Sequence, residues 1–238
     1  MKRRISIPRA IPRLALVDLD GTLVDTLPDI AFCIDAMLTE LDLPTVGQAR
    51  VREWVGNGIA VLVRRALAGG LEKEIDAACF ARALPIFTRL YTQNTSGRSR
   101  VYDGVPAGLE FFQAVGVELV CVTNKASALT HKLLTELELD GHFSLVISGD
   151  TLPRRKPDPM PLVHAAQHFA IAPEDALLIG DSANDVKAAR AAGFGIICVT
   201  YGYNHGDDIR ASNPDALVDS LAELPGLFVL PGQAHAAS

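Results

Sequence analysis

The sequence is short of positive charge. Its 238 residues carry 22 Lys and Arg against 28 Asp and Glu, a formal net charge of −6. Such a chain lacks the basic footprint that general nucleic-acid binding requires. If its ligand is an anion, positive charge must be supplied locally, by a metal or a few placed cations. Aromatic residues are also scarce, at 6%, while hydrophobic residues make up 49%. With Ala, Leu and Val abundant, that balance suits helices packed on a buried parallel sheet. Long apolar runs are missing. The basic start MKRRISIPRAIPR is broken by Pro8 and Pro12, and the run LALV stops at Asp18. Neither a signal segment nor a membrane span is expected, and the chain reads as cytoplasmic. Cysteine pairs are missing too. Cys33, Cys79, Cys121 and Cys198 stand far apart with no CxxC, the pattern of buried free thiols in a reducing compartment. His164 and His168 share a helical face, but no third ligand accompanies them, so zinc is not expected.

What is present is a series of short apolar runs that end abruptly at polar residues. Leu14–Val17 ends at Asp18, Val117–Val122 at Thr123 and Asn124, Leu145–Ile147 at Ser148, Ala176–Ile179 at Gly180 and Asp181, and Gly195–Val199 at Thr200. Runs of this length, rich in Val, Ile and Leu, predict strands buried on both faces. Helical patterns fall between them, at about 105–115, 126–139, 159–170 and 183–192. Alternating strands and helices predict an α/β fold, a Rossmann-like parallel sheet with right-handed crossovers. Ligands of such sheets sit beyond the carboxyl ends of the strands. The polar residues that end these runs are therefore candidates to meet at one site.

Residues 27–96 interrupt the alternation. They contain helical patterns at 28–41, 46–55, 58–68 and 72–93 but no strand run, and they end in the polar joint Thr95-Ser-Gly-Arg-Ser. We expect a helical domain, 27–96, inserted into a core made of 1–26 and 97–238. The length of the chain accommodates both.

Four segments carry candidate chemistry. Asp18-Leu-Asp20-Gly21-Thr22-Leu23-Val24-Asp25 follows a buried strand, and its first two carboxylates share a face at i and i+2. Crowded acids of this kind call for a cation, and an all-oxygen donor set favours Mg²⁺. Gly180-Asp181-Ser182-Ala183-Asn184-Asp185 brings Asp181 and Asp185 to one side over a helical turn. Lys156, in Arg154-Arg155-Lys156-Pro157-Asp158-Pro159, offers a fixed cation, and Thr123-Asn124-Lys125 offers a hydroxyl and backbone N–H groups at a helix start. Each segment alone admits a plainer reading: a solvated turn, an N-cap at Ser182, a basic surface loop, a simple helix cap.

Taken together, the order and strand-end placement of these segments resemble the haloacid dehalogenase-like hydrolases, and the likeness spans nearly the whole chain. It implies that Asp18 is a nucleophile forming an aspartyl-phosphate, and that Asp20 is the general acid and then base. Thr123, Asn124 and Lys156 would hold the transferring phosphoryl oxygens. Mg²⁺ would be held by Asp18, the Asp20 carbonyl and Asp181, with Asp185 acting through water or as support. A carboxylate at position 20 favours phosphotransfer over dehalogenation. The helical insertion resembles the cap of one branch of that family. Trp54-Val-Gly56-Asn57-Gly58-Ile59, Tyr201-Gly-Tyr-Asn204 and Val101-Tyr-Asp-Gly-Val105 resemble the bacterial phosphoglycolate phosphatase group. The implied substrate is a small phosphate ester, 2-phosphoglycolate foremost, with Gly56, Asn57 and Gly58 offered to its carboxylate. A sugar-phosphate or amino-sugar-phosphate phosphatase, or a phosphomutase, would share the same chemistry residues. A phosphonate hydrolase would by the same analogy need an insertion lysine, and Lys73, in a charged segment, does not suit it. The implied partner is a small molecule, with no nucleic acid or membrane, and the protein a monomer or homodimer.

Overall fold

The computed structural model describes residues 10–70 and 75–229. The basic start up to residue 9, Lys73 with the first turn expected at 72–74, and the tail from Pro231 lie outside the described residues. No helix among the described residues is long and apolar enough to cross a membrane.

Each of the five apolar runs forms a strand: Leu14–Val17 (β1), Glu118–Val122 (β4), Leu145–Ile147 (β5), Ala176–Gly180 (β6) and Gly195–Val199 (β7). A sixth, Ala216–Val218 (β8), lies on the edge, an apolar run of three residues too short to stand out in the sequence. All six are parallel, in the order β5-β4-β1-β6-β7-β8. The chain first builds leftward from β1 through β4 and β5, then crosses back to place β6 on the other side of β1. The reversal leaves a crevice at the carboxyl ends of β1 and β6.

Alternate residues of the strands feed two cores, as a period of two demands. Ala15, Val17, Leu119, Cys121, Leu177 and Ile179 pack with Leu109 and Phe112 of Val105–Ala114 (α5) and with Leu133 and Leu134 of Ser127–Glu136 (α6). Leu14, Leu16, Val120, Val122 and Leu178 pack with Leu162 of Met160–His168 (α7) and with Ala188 and Ala189 of Ala183–Ala192 (α8).

The described residues of 27–93 form four helices: Leu27–Glu40 (α1), Gly47–Arg52 (α2), Ile59–Ala68 (α3) and Ala77–Gln93 (α4). α2 is shorter than its sequence pattern suggests. α4 begins at Asp76, whose carboxylate accepts from the backbone N–H groups of Ala78 and Cys79. These helices share a separate cluster around Ile34, Met37, Trp54, Val63 and Phe87, which also receives Leu129 and Tyr203 from outside the insertion. Between the sheet and these helices the chain passes both ways through a two-residue antiparallel ladder, Val24–Asp25 (β2) against Arg100–Val101 (β3), which the sequence pattern does not signal. Asp29, fully buried at the start of α1, clamps the two crossings. Its carboxylate accepts from Ser99 N at 2.7 Å, Ser99 Oγ at 2.7 Å and Arg98 N at 2.9 Å.

Candidate active site

The first residue beyond β1 and beyond β4 continues the ladder with its backbone, and its side chain lines the crevice. Asp18 N donates to Ile179 O at 2.9 Å, and Thr123 N donates to Ile147 O at 2.9 Å. Asp18, Asp20, Thr123, Asn124, Lys156, Asp181 and Asp185 all line one cavity. Ile30, Val55, Gly56, Gly58, Ile59, Leu62 and Tyr91 of the helical insertion face them across it.

Asp18, Asp181 and Asp185 each bring a carboxylate oxygen within 4.8 Å of the others, and all three residues are buried. Burial raises the pKa of Asp18 to about 7; Lys156 opposes this, and Asp185 and Asp20 add to it. Asp181 is likewise raised by burial, and by Asp185 and Asp18, against a 2.7 Å hydrogen bond from Tyr203 N. The backbone is shaped to admit the Asp181 carboxylate. A Cβ built on Gly21 (φ +86°) or on Gly202 would collide with the Asp181 side chain. A divalent cation suits this set: oxygen donors only, a surplus of buried negative charge, and glycine clearance around one carboxylate.

Lys156 is held on three sides. Its Nζ lies 2.8 Å from Asp18 Oδ1 and 2.7 Å from Asp185 Oδ1, and donates to Val122 O at 2.8 Å. Burial works against the ammonium, but Asp18 and Asp185 outweigh it and raise its pKa. The second oxygen of Asp185 accepts from Ser182 N at 3.1 Å and Ser182 Oγ at 2.6 Å. Asp185 therefore both caps α8 and anchors Lys156.

Not every candidate stands alike. The amide of Asn124 donates to Gly56 O at 3.0 Å and to Lys156 O at 2.9 Å, so it bridges the insertion and the lysine loop. Gly56 (φ +116°) and Gly58 (φ +83°) line the cavity, and Gly58 caps α3 as the sequence pattern suggests. Asn57 is not among the lining residues; its side chain lies 2.8 Å from the amide of Asn184, across the insertion boundary. Three nearby arginines are engaged elsewhere: Arg64 stacks over Phe80, Arg65 donates to Trp54 O, and Arg154 pairs with Asp158. Arg155 is exposed, with its guanidinium against Gly58.

Sequence reasoning did not single out three residues. Lys125 and Tyr91 line the cavity, with the Lys125 Nζ 3.0 Å from Asp20 Oδ1 and hydrogen-bonded to the Tyr91 hydroxyl. Lys125 adjoins the recognised Thr123-Asn124 pair, but Tyr91 sits in an ordinary amphipathic helix that gives no signal. Tyr203 is the other omission. Its N–H holds Asp181, its hydroxyl donates to Asp25 Oδ1 at 2.7 Å and accepts from Leu27 N at 3.0 Å. One residue, through its backbone N–H and its hydroxyl, thus joins the acid cluster to the first crossing.

Comparison with known proteins agrees with this arrangement. The family model for haloacid dehalogenase-like hydrolases matches residues 15–199. A protein of Nitrosococcus oceani named phosphoglycolate phosphatase is 54% identical over 217 residues, covering 91% of this chain and 96% of that protein. One of Thiobacillus denitrificans with the same name is 46% identical over 211 residues, covering 89% and 93%. A crystal structure from Haemophilus somnus, described as a predicted phosphoglycolate phosphatase, superposes with a TM-score of 0.86 at 36% identity, covering 93% of this chain and 99% of that one. With the strand-end acids, the helical insertion and the match over residues 15–199 in agreement, the chain belongs to the haloacid dehalogenase-like hydrolase family.

Proposed function

We propose that the protein is a Mg²⁺-dependent phosphatase that hydrolyses 2-phosphoglycolate to glycolate and phosphate through an aspartyl-phosphate on Asp18. The observation that carries the reading is the convergence of Asp18, Asp20, Asp181 and Lys156 in one cavity at the carboxyl ends of β1 and β6. The names of the Nitrosococcus and Thiobacillus relatives support the choice of substrate.

Asp18 attacks phosphorus. Its oxygen displaces the alkoxide, and Asp20 gives that alkoxide a proton; Asp20 then takes a proton from the water that cleaves the acyl phosphate. A dianionic phosphate approaches a carboxylate only where charge is neutralised. Lys156, fixed by three buried contacts, supplies one positive charge beside Asp18 without reorganising. Thr123 and Asn124 contribute hydroxyl and backbone N–H groups to the phosphoryl oxygens. Asp18, the Asp20 carbonyl and Asp181 would hold Mg²⁺, with Asp185 as support; the ion would neutralise charge on the transferring group.

Residues 27–96 act as a cap on a core of 1–26 and 97–238. Their separate hydrophobic cluster supports this division, as does the short β2–β3 ladder with its Asp29 clamp, where hinges would lie. Gly56 and Gly58 would stand over the substrate carboxylate. The partner is a small phosphate ester, with no nucleic acid or membrane, and the protein works in the cytoplasm as a monomer or homodimer.

The test is steady-state phosphate release over a panel of phosphate esters, with Mg²⁺ and with chelator. The reading expects 2-phosphoglycolate to have the highest kcat/KM and activity to vanish on chelation. A sugar phosphate far ahead of 2-phosphoglycolate, or turnover indifferent to chelator, would overturn it.

A further inference from the structure

A three-residue chain runs from the helical insertion into the site. Tyr91 stands near the end of α4, and Lys125 follows β4. Asp20 follows β1. The Tyr91 hydroxyl bonds the Lys125 ammonium, which also lies 4.6 Å from the centre of the Tyr91 ring. The ammonium in turn donates to Asp20 Oδ1 at 3.0 Å. Tyr91 and Lys125 are 2% and 6% exposed, so the link is sheltered from solvent up to its Asp20 end. The set is closed on itself. Among the described residues Lys125 is the one side chain that hydrogen-bonds the Asp20 carboxylate, and Asp20 and Tyr91 are the only hydrogen-bond partners of the Lys125 ammonium. The other cavity cation, Lys156, is committed to Asp18 and Asp185.

We propose that Lys125 and Tyr91 are positioning residues for Asp20, so that the acid–base group is aimed at the leaving oxygen only when α4 of the insertion is docked. With Oδ1 accepting from the ammonium, the proton that Asp20 exchanges with the leaving alkoxide is carried on Oδ2. Tyr91 restrains the flexible lysine, which has four rotatable carbons to fix. Thr95 Oγ1 donates to Tyr91 O at 2.9 Å, so Tyr91 is tied to the polar joint that leads into the second crossing. A swing of the insertion about that crossing withdraws the hydroxyl first. The proposal rests on the reading of Asp20 as the general acid.

The test compares leaving groups. An alkyl phosphate needs a proton on its departing oxygen; 4-nitrophenyl phosphate releases a stable anion and does not. General acid–base groups contribute about 10²–10⁴-fold, and loss of aim forfeits part of that. For 2-phosphoglycolate and for ethyl phosphate, kcat/KM should fall about 30-fold in Lys125→Met and about fivefold in Tyr91→Phe. For 4-nitrophenyl phosphate it should fall less than about threefold in both. In the Lys125→Met background, adding Tyr91→Phe should change nothing further, because the hydroxyl acts through the lysine. Tyr91→Phe keeps the ring and its packing, so it carries the test even if Lys125→Met fails to fold. Equal losses on all three substrates would mean a merely structural role and overturn the proposal. A loss on 2-phosphoglycolate that spares ethyl phosphate would make Lys125 a ligand of the substrate carboxylate and overturn it as well. Asp20→Asn is the separate control. If it too lacks the leaving-group split, the reading of Asp20 falls; if it shows the split and the other two variants do not, only the present inference falls.

Discussion

Replacing Lys156 by Met tests the electrostatics of the site without relying on turnover. The ammonium makes three buried contacts, with Asp18, Asp185 and Val122 O, and the residue is 3% exposed. Removing one member of a buried ion pair costs about 3–5 kcal/mol. For a chain of this size that is a fall in Tm of roughly 6–20 °C, at about 2–4 °C per kcal/mol. The loss should also depend on pH, and its sign is fixed. Asp18 has an ordinary pKa of 3.8 and stands at about 7 in the folded protein, with Lys156 opposing a still larger rise. A raised folded-state pKa means the native state binds the extra proton, so stability falls as pH rises between the unfolded and folded values. Without Lys156 the folded value climbs further. Below pH 7 the carboxyl is protonated in both native proteins, and this group adds nothing to the difference. Above pH 7 the parent has finished its loss while the variant continues to lose about 1.4 kcal/mol per pH unit. Urea unfolding in chelator, from pH 5.5 to 8.5, reads both quantities. A gap between parent and Lys156→Met that widens above pH 7 is expected; a gap flat across the range would refute the reasoning.

Other perturbations follow from single contacts. Asp29→Ala strands two backbone N–H groups at the crossings, at about 1–3 kcal/mol for each unsatisfied group; denaturant melts should show a loss of at least about 2 kcal/mol. Asp181→Asn should weaken the Mg²⁺ dependence of activity by at least about tenfold and abolish the rise in Tm that Mg²⁺ gives the parent. Gly21→Ala places a methyl against Asp181 at φ +86°, so it should lose both stability and the Mg²⁺-induced rise in Tm, whereas Gly47→Ala, at φ +75° with open space around it, should lose only stability.

The sheet was legible because buried parallel strands must be continuously apolar, and the runs of β1, β4 and β6 stop where the cavity-lining residues begin. The same logic brought Asp18, Thr123 and Asp181 to one rim before any coordinates. β8 escaped because its apolar run, Ala216–Val218, is only three residues long, too short to stand out as a strand. β2 and β3 escaped because two residues carry no period. The Asn57 expectation came from local turn chemistry, which identifies the Gly58 cap but not which face of the turn meets the cavity. Lys125, Tyr91 and Tyr203 depend on how the insertion docks, a contact between segments up to 176 residues apart that neither periodicity nor spacing encodes.

The central claim is that Asp18 carries the phosphoryl group. Rapid acid quench of enzyme with 2-phosphoglycolate and Mg²⁺, then borohydride reduction and peptide mass spectrometry, reads it directly. The account predicts homoserine in place of aspartate at position 18 in the parent, and neither that product nor turnover in Asp18→Asn. Reduction at another acidic residue, or an Asp18→Asn variant releasing phosphate at the parent rate, would contradict it.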